Sequence, residues 1–137
     1  MASTLTITSD LAELRRLRAF VDAFCAEQRL GERLAHSLTL VVEELLTNLV
    51  NYGYDPGAPP GRAVVSLECA EGAVLLVFED DGRAFDLTQR PVYDLEASLE
   101  DRPVGGLGLH LIRTLMDAVG YDRVDDRNRL VLRKRIE

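Results

Sequence analysis

The segment from about Glu32 to Tyr52 constrains the fold of this chain more than any other. Its apolar side chains recur at helical spacing and predict one long helix with a single apolar stripe. The stripe consists of Leu34, Leu38, Val41, Leu45 and Leu49. Glu44 and Asn48 stand one turn apart at its edge, about 40° from each other in projection, so they share one flank of the helix.

A carboxylate and a carboxamide beside a core stripe cost desolvation energy unless something pairs with them. Two interpretations of Glu44 and Asn48 follow. Either both face solvent, or together they hold one hard cation or its water shell, with the amide oxygen as a ligand and the carboxylate handling a proton.

The composition is typical of one globular domain. The 137 residues are 47% hydrophobic and 28% charged, which predicts a single folded domain over residues 1–137. No run approaches the roughly 18 apolar residues of a membrane span, and the N-terminus lacks the features of a signal peptide, so we expect a cytoplasmic protein without membrane contact.

The formal charge of -7 argues against direct nucleic-acid binding. Cys25 and Cys69 are too few for a disulfide framework and too isolated for a zinc site, and we expect them to be small buried hydrophobes.

The other segments predict an α+β fold. The alternation in "TLTITS", residues 4–9, predicts a strand, and Asp10 with Glu13 resembles a capping box that begins a helix ending near Gln28. Residues 63–69 and 73–80 predict two strands around a short turn, "LGLHLIRTLMDAV" predicts a third helix, and residues 120–126 and 128–136 predict a hairpin that turns near residues 126–128. The predicted fold class is a two-layer sandwich, with a mixed, mostly antiparallel sheet and three helices on one face.

The second polar motif is "FEDDGRAF", residues 78–85, at the end of a predicted strand. A strand-end carboxylate such as Asp80 or Asp81 can accept a hydrogen bond from an amino group like that of adenine. Gly82, which follows them, lets the backbone come close to a ligand. The same residues also fit an ordinary Asp-Gly turn.

The third motif places Gly105, Gly106 and Gly108 where the third helix should begin. Backbone N–H groups at a helix N-terminus carry partial positive charge, and without side chains they can approach phosphate oxygens. A flexible hinge into the helix is the alternative. The motif is neither a P-loop nor a dinucleotide fingerprint.

The order of the three motifs resembles the Bergerat-fold (GHKL) ATP-binding superfamily, which includes histidine-kinase catalytic domains. The finer match is to the serine-kinase anti-sigma factors of bacterial partner-switching systems. It rests on "EELLTNLVNYGY", "EDDGRAFD", "GGLGLHLIRTLMD" and the terminal "YDRVDDRNRLVLRKR", and it covers nearly the whole chain.

The resemblance implies a role for each matching residue. Glu44 would be the general base that takes a proton from the incoming serine hydroxyl, and Asn48 would ligate Mg²⁺. Asp80 would bind the adenine amino group, and residues 83–104 would form a lid over ATP. The implied cofactor-binding set is Asn48, Asp80, Gly82, Phe85, Gly105, Gly106, Leu107, Gly108 and Leu109.

Two positions depart from the family pattern. Tyr52 stands where the family often has His, and Val104 stands where some relatives have Arg, with Arg102 two residues earlier. Neither His36 nor His110 lies in a phosphoacceptor context, so a self-contained histidine kinase is not expected.

The function implied by the resemblance is an ATP-dependent serine/threonine protein kinase. Such a kinase would phosphorylate a STAS-domain antagonist and hold a sigma factor or similar regulator, and the family implies a homodimer. One alternative is a non-catalytic module that binds nucleotide and partners. The other is an ATPase that drives a conformational change, although 137 residues leave no room for the transducer domain that such an ATPase normally needs.

Overall fold

A five-stranded antiparallel sheet forms one layer of the fold. The computed structural model describes residues 2–86, 88 and 106–136. The strands are β1 (Ser3–Thr8), β2 (Arg62–Ala70), β3 (Ala73–Asp80), β4 (Ala118–Val124) and β5 (Arg127–Arg135), in the spatial order β1-β2-β3-β5-β4. All four pairings are antiparallel, whereas the sequence analysis allowed for a mixed sheet.

Three helices form the second layer: α1 (Leu14–Glu27), α2 (Glu32–Tyr52) and α3 (Gly106–Leu115). The stripe predicted for α2 is buried from Leu38 to Leu49 and belongs to a single core with the inward side chains of the sheet. The sheet contributes Ile7, Val65, Leu67, Leu76, Phe78, Leu130 and Leu132 to this core. The predicted two-layer α+β sandwich is therefore confirmed, and the bounds of α2 match those predicted.

The start of α1 differs from the predicted capping box. The Asp10 carboxylate does cap a helix, accepting from the Ala12 N–H at 2.9 Å, but the turn that it caps is a 3-10 helix, Leu11–Glu13. The Glu13 carboxylate accepts from the Thr8 N–H at 2.8 Å rather than from that of Asp10. The tighter turn places Glu13 beside the end of β1, and the α-helix proper begins one residue later.

The end of α3 and the last turn were also predicted wrongly. The helix ends at Leu115, and Ala118 opens β4, because Asp117 is bonded across to β5: its N–H donates to the Arg133 oxygen at 2.8 Å. The hairpin turns at Asp125 and Asp126, with φ angles of 51° and 62°. Two successive left-handed residues are the geometry of the tightest hairpins, so the turn lies before the predicted position.

The two cysteines are free thiols, Cys25 buried and Cys69 half-buried. Burial raises the pKa of the Cys25 thiol to about 11, so it stays protonated at neutral pH and behaves as a small hydrophobe, as predicted. Among the described helices, none is both long and apolar enough to cross a bilayer.

Candidate functional site

A pocket lies between the second half of α2 and the adjoining ends of β3 and β5. Its lining residues are Leu45, Asn48, Leu49, Tyr52, Gly53, Phe78, Asp80, Arg83, Phe85, Asn128 and Leu130. The rings of Tyr52 and Phe85 stack along one wall, with centroids 6.4 Å apart and planes inclined by 11°. The cavity measures about 30 Å³, well below the roughly 300 Å³ of typical ligand pockets. A purine would therefore require the pocket to open further.

Asp80 provides the buried carboxylate of the pocket and is only 7% exposed. Its Oδ1 accepts from the Gly82 N–H at 2.9 Å and from the Asn128 amide at 3.0 Å. Within the described chain no hydrogen bond ends on Oδ2. Burial raises the pKa of this carboxyl, while the bonds from Asn128 and Gly82 act in the opposite direction. The open oxygen is suited to accept a hydrogen bond from the exocyclic amino group of a base.

Asp81, the other candidate at this strand end, lies outside the pocket and is exposed. Its Oδ1 accepts from the Tyr54 hydroxyl at 2.5 Å and from the Arg62 N–H at 3.0 Å. These bonds fasten the end of α2 and the start of β2 to the end of β3. Of the two aspartates, the structure brings only Asp80 to the site.

Gly82 is closely surrounded by other parts of the protein. A Cβ at this position would lie 3.0 Å from Asp80 Oδ1, 3.0 Å from a methyl group of Leu49 and 3.1 Å from the Gly53 oxygen. Clearance for a ligand was the reason expected for this glycine from the sequence. The structure adds a second reason, the close approach of the strand end to the end of α2.

The N-terminal turn of α3 meets the polar flank of α2. A Cβ built on Gly108 would overlap Oε2 of Glu44 and would lie 3.7 Å from the Asn48 amide nitrogen. Because Asn48 also lines the pocket that contains Asp80, the three sequence motifs converge on one region. Glu44 and Asn48 are therefore not the solvent-facing pair of the alternative interpretation.

Asn48 is 9% exposed, and its Nδ2 is, among the described side chains, the buried polar atom that lacks a hydrogen-bond partner. Leaving such a group unpaired costs about 1–3 kcal/mol. Rotation of the amide presents either the oxygen to a cation or the nitrogen to a phosphate oxygen. No group of three or more acidic, histidine or cysteine side chains in the described residues could hold a metal, so Mg²⁺ here would combine Asn48 with phosphate and water oxygens. With nucleotides, proteins usually hold Mg²⁺ through few side chains, mostly carboxylates, together with substrate phosphates and several waters. The Asn48 amide oxygen is a hard oxygen ligand of the same kind, so the residues fit such a site.

Glu44 is half-buried next to Gly108. Burial, and secondarily the charge of Glu43, raises the pKa of its carboxyl. Glu43 itself forms an ion pair with Arg18 of α1, with 2.7 Å between Nε and Oε1. A carboxylate with a raised pKa is a stronger base than one in water.

Asn128 is the site residue that the sequence analysis missed, since it was assigned to the hairpin turn. It is 4% exposed and lies opposite Asp80 in the β3–β5 register. Its amide nitrogen donates to Asp80 Oδ1 and to the Arg83 oxygen at 2.7 Å, and its amide oxygen accepts from the Phe85 N–H at 3.2 Å. One side chain thus fixes both the buried carboxylate and the segment that follows it. The available signal was the alternation of Asn128 with Leu130 and Leu132, which places an amide at an inward position.

The remaining predicted residues have different locations. Phe85 lines the pocket, Gly106 and Leu107 belong to the first turn of α3, and Leu109 is buried in the core at 1% exposure. Leu109 thus supports the helix and does not line the pocket. Gly105, Arg102 and Val104 lie outside the described residues, as does most of the predicted lid.

A family model described as "Histidine kinase-like ATPase domain" matches residues 7–134. The chain belongs to this family. Its resemblance to Bergerat-fold proteins, inferred above from three motifs, is thereby confirmed.

Two relatives refine the position of the chain within the histidine kinase-like ATPase family. The serine/threonine-protein kinase BtrW of Bordetella bronchiseptica is 35% identical over 113 residues, covering 82% of this chain and 79% of that protein. The serine-protein kinase RsbW of Halalkalibacterium halodurans is 34% identical over 87 residues, covering 60% of this chain and 51% of that protein. Both carry the name of the enzyme class predicted from the sequence.

A solved structure containing the RsbU and RsbW domains of a Mycobacterium tuberculosis protein shares the fold of this family member, with a TM-score of 0.69 and 18% identity. The match covers 99% of this chain and 32% of that one. The histidine kinase domain of a blue-light activated kinase from Erythrobacter litoralis matches with a TM-score of 0.54 over 95% of this chain. Both solved structures share 18% sequence identity with this chain, so these matches indicate the fold alone.

Proposed function

We propose that the chain binds ATP with Mg²⁺ in this pocket and transfers the γ-phosphoryl group to a serine or threonine of a partner protein. The convergence of Glu44, Asn48 and Gly108 at the N-terminus of α3 supports this best. It combines a base, an unpaired amide and a helix N-terminus, which are the parts that phosphoryl transfer needs for positioning and for charge neutralisation.

Each residue has a distinct task in this proposal. Oδ2 of Asp80 accepts the hydrogen bond of the adenine amino group, and Asn48 holds the cation that neutralises phosphate charge. Glu44 accepts the proton of the attacking hydroxyl, and its raised pKa makes it a better acceptor. Gly108 allows the start of α3, where the phosphates bind, to lie against Glu44, because a side chain there would collide with Glu44.

For the biological role, we propose a bacterial partner-switching regulator. In this proposal the chain is a cytoplasmic serine kinase that acts on a STAS-domain antagonist and holds a sigma factor, as a homodimer. The names of the relatives support the serine-kinase activity, and the partners, the homodimer and the location follow from the family resemblance of the sequence motifs. In such a switch the nucleotide and the phosphorylation state of the antagonist decide which partner is held, and the outcome is regulation of transcription.

Two variants test the proposed roles. With labelled ATP and a STAS-domain protein, the wild type should form an acid-stable phosphoserine. Glu44→Gln should retain ATP affinity and lose transfer by about 10²-fold or more. Asn48→Ala should weaken binding of ATP in the presence of Mg²⁺ but not in its absence.

The outcomes separate the alternatives. If ATP binds with Mg²⁺ and no label moves to any partner, the chain is the non-catalytic module that Val104 would suggest. If phosphate is released without a partner, it is an ATPase. Full transfer by Glu44→Gln would contradict the assignment of the base.

A further inference from the structure

A groove at the other end of α2 is independent of the nucleotide pocket. It is formed by the loop between α1 and α2, the first turns of α2 and the ends of α3 and β5, and it encloses about 440 Å³. Arg33 in this groove and Asn48 in the pocket stand fifteen residues apart on the same helix, about 22 Å along its axis. A ligand here would not touch bound nucleotide.

The groove is lined by positively charged side chains, whereas the chain as a whole is negatively charged. Its cationic side chains are Arg29, Arg33, Lys134 and Arg135. None of the four forms an ion pair with a described residue, and the chain carries a formal charge of -7. Two nearby carboxylates do not line the groove: Glu32 in the first turn of α2, and Asp117, which accepts from the backbone N–H of Arg135 at 2.6 Å. Acidic ligands are repelled by most of the surface and attracted to this groove.

The N-terminus of α2 opens into the same groove. Gly31 precedes the first turn, and no side chain caps it, so the N–H groups of this turn have no side-chain acceptor. They add partial positive charge to that of the four cationic side chains, at the point where an anionic group would enter.

Ser37 provides a second and independent indication of a ligand. It lines the groove at 9% exposure, and within the described chain its hydroxyl has no hydrogen-bond partner. By contrast, the helical hydroxyls of Thr39, Thr47 and Thr114 each donate to the carbonyl four residues earlier, at 2.8–2.9 Å. The Ser37 hydroxyl is therefore available to a group bound in the groove.

The groove also has an apolar part, which decides the class of ligand. Its half-buried apolar side chains are Leu30, Leu34, Leu115 and Ile136. A bare inorganic anion makes no contact with these apolar side chains, whereas a polypeptide segment with acidic and apolar residues can contact both the cationic and the apolar parts of the groove.

We propose that this groove docks an acidic segment of a partner protein. Carboxylates of the segment pair with Arg33 and Lys134, and its apolar side chains pack on the leucines. This inference goes beyond the proposed kinase activity and does not depend on it.

Fluorescence anisotropy on the full chain tests the proposal, with a short labelled peptide of mixed Glu, Asp and Leu residues as the probe. The wild type should bind it, and binding should weaken as salt screens the charges. Arg33→Glu should weaken it by about tenfold, and Ser37→Ala by about fivefold through loss of one hydrogen bond. Both variants should retain ATP affinity, which also verifies that they are folded.

Arg15→Glu is the matched control, because it makes the same charge change at an exposed position of α1 outside the groove. Equal weakening in Arg15→Glu and Arg33→Glu would mean non-specific attraction and would overturn the proposal. So would failure of the wild type to bind the acidic peptide, or equal affinity for a peptide with Gln and Asn in place of the acids. Preference for a single-stranded oligonucleotide, lost in Arg33→Glu, would overturn the assignment to a protein partner.

Discussion

At the scale of single residues, the adjacent carboxylates Asp80 and Asp81 have opposite environments. Burial raises the pKa of Asp80 above its ordinary value. Burial acts in the same direction on Asp81, but the hydrogen bonds from Tyr54 and the Arg62 N–H outweigh it and lower the pKa. A raised pKa in the folded state means that the contribution of Asp80 to stability is present at acid pH and is lost as pH rises through that pKa. For Asp81 the contribution is present at neutral pH and is lost as pH falls.

Asp80→Asn should therefore increase the free energy of unfolding at neutral pH, because it removes an ionised buried group, and the gain should disappear at acid pH. The same change removes the acceptor for the adenine amino group, so ATP affinity should fall about ten- to hundredfold. Urea unfolding at pH 7 and in acid, with calorimetry of ATP binding, would measure both effects. Asp81→Asn is the control and should behave oppositely, losing stability at neutral pH while ATP affinity is retained. Equal ATP affinities of the two variants would exclude Asp80 as the adenine acceptor.

The raised pKa of Glu44 should be visible in the pH dependence of phosphoryl transfer. A general base acts only when ionised, so the rate should rise with pH through a pKa above that of an ordinary glutamate. Glu43→Gln removes the nearby negative charge that contributes to this shift and should move the rise to lower pH. A phosphorylation assay across pH would detect the displacement. Glu27→Gln, an exposed change at the end of α1, should leave the profile unchanged, and an unmoved profile in Glu43→Gln would contradict the electrostatic account.

At the scale of elements, Gly108 is the point where α3 approaches the Glu44 carboxylate of α2 most closely. In Gly108→Ala the new methyl group must displace the Glu44 carboxylate, which lies at the end of a flexible side chain. Stability should therefore change little, since Ala also favours the helix by up to about 1 kcal/mol, while phosphoryl transfer should fall about tenfold or more.

Gly120→Ala is the control for this prediction. A Cβ at Gly120 would lie 3.9 Å from the nearest atom, the Val131 oxygen, and would strain nothing. Measuring the transfer rate and the thermal unfolding of both variants would show whether Gly108→Ala loses transfer while it retains stability. Normal transfer by Gly108→Ala would mean that Glu44 does not need its present position.

The elements also show where sequence reasoning succeeds and where it fails. The bounds of α2 and the β2–β3 hairpin could be predicted because periodicity and turn residues are local properties. The predicted end of α3 was wrong because the Asp117 N–H donates to the Arg133 oxygen of β5, and no local sequence pattern reveals this partner. Asn128 was missed because it was assigned to the turn. Its alternation with the buried leucines of β5 indicates an inward position, but the Asp80 that it contacts is 48 positions away in sequence.

At the scale of the whole molecule, the two-layer architecture followed from the sequence, but the site required the fold. The spatial order β1-β2-β3-β5-β4 places β5 beside β3, and the pairing of these two strands brings Asn128 to Asp80. The contact between Gly108 and Glu44 likewise joins segments separated by the predicted lid. The motifs gave the chemical groups of the site, and the resemblance supplied their roles.

The central claim is that the folded chain binds an adenine nucleotide between α2, α3 and the end of β3. Isothermal titration calorimetry of the purified chain with ATP, in the presence of Mg²⁺ and again with a chelator, tests it most directly. We expect saturable binding of one nucleotide per chain, weakened by the chelator in the wild type and much reduced in Asp80→Asn. If the folded chain takes up neither ATP nor ADP under either condition, the account is contradicted.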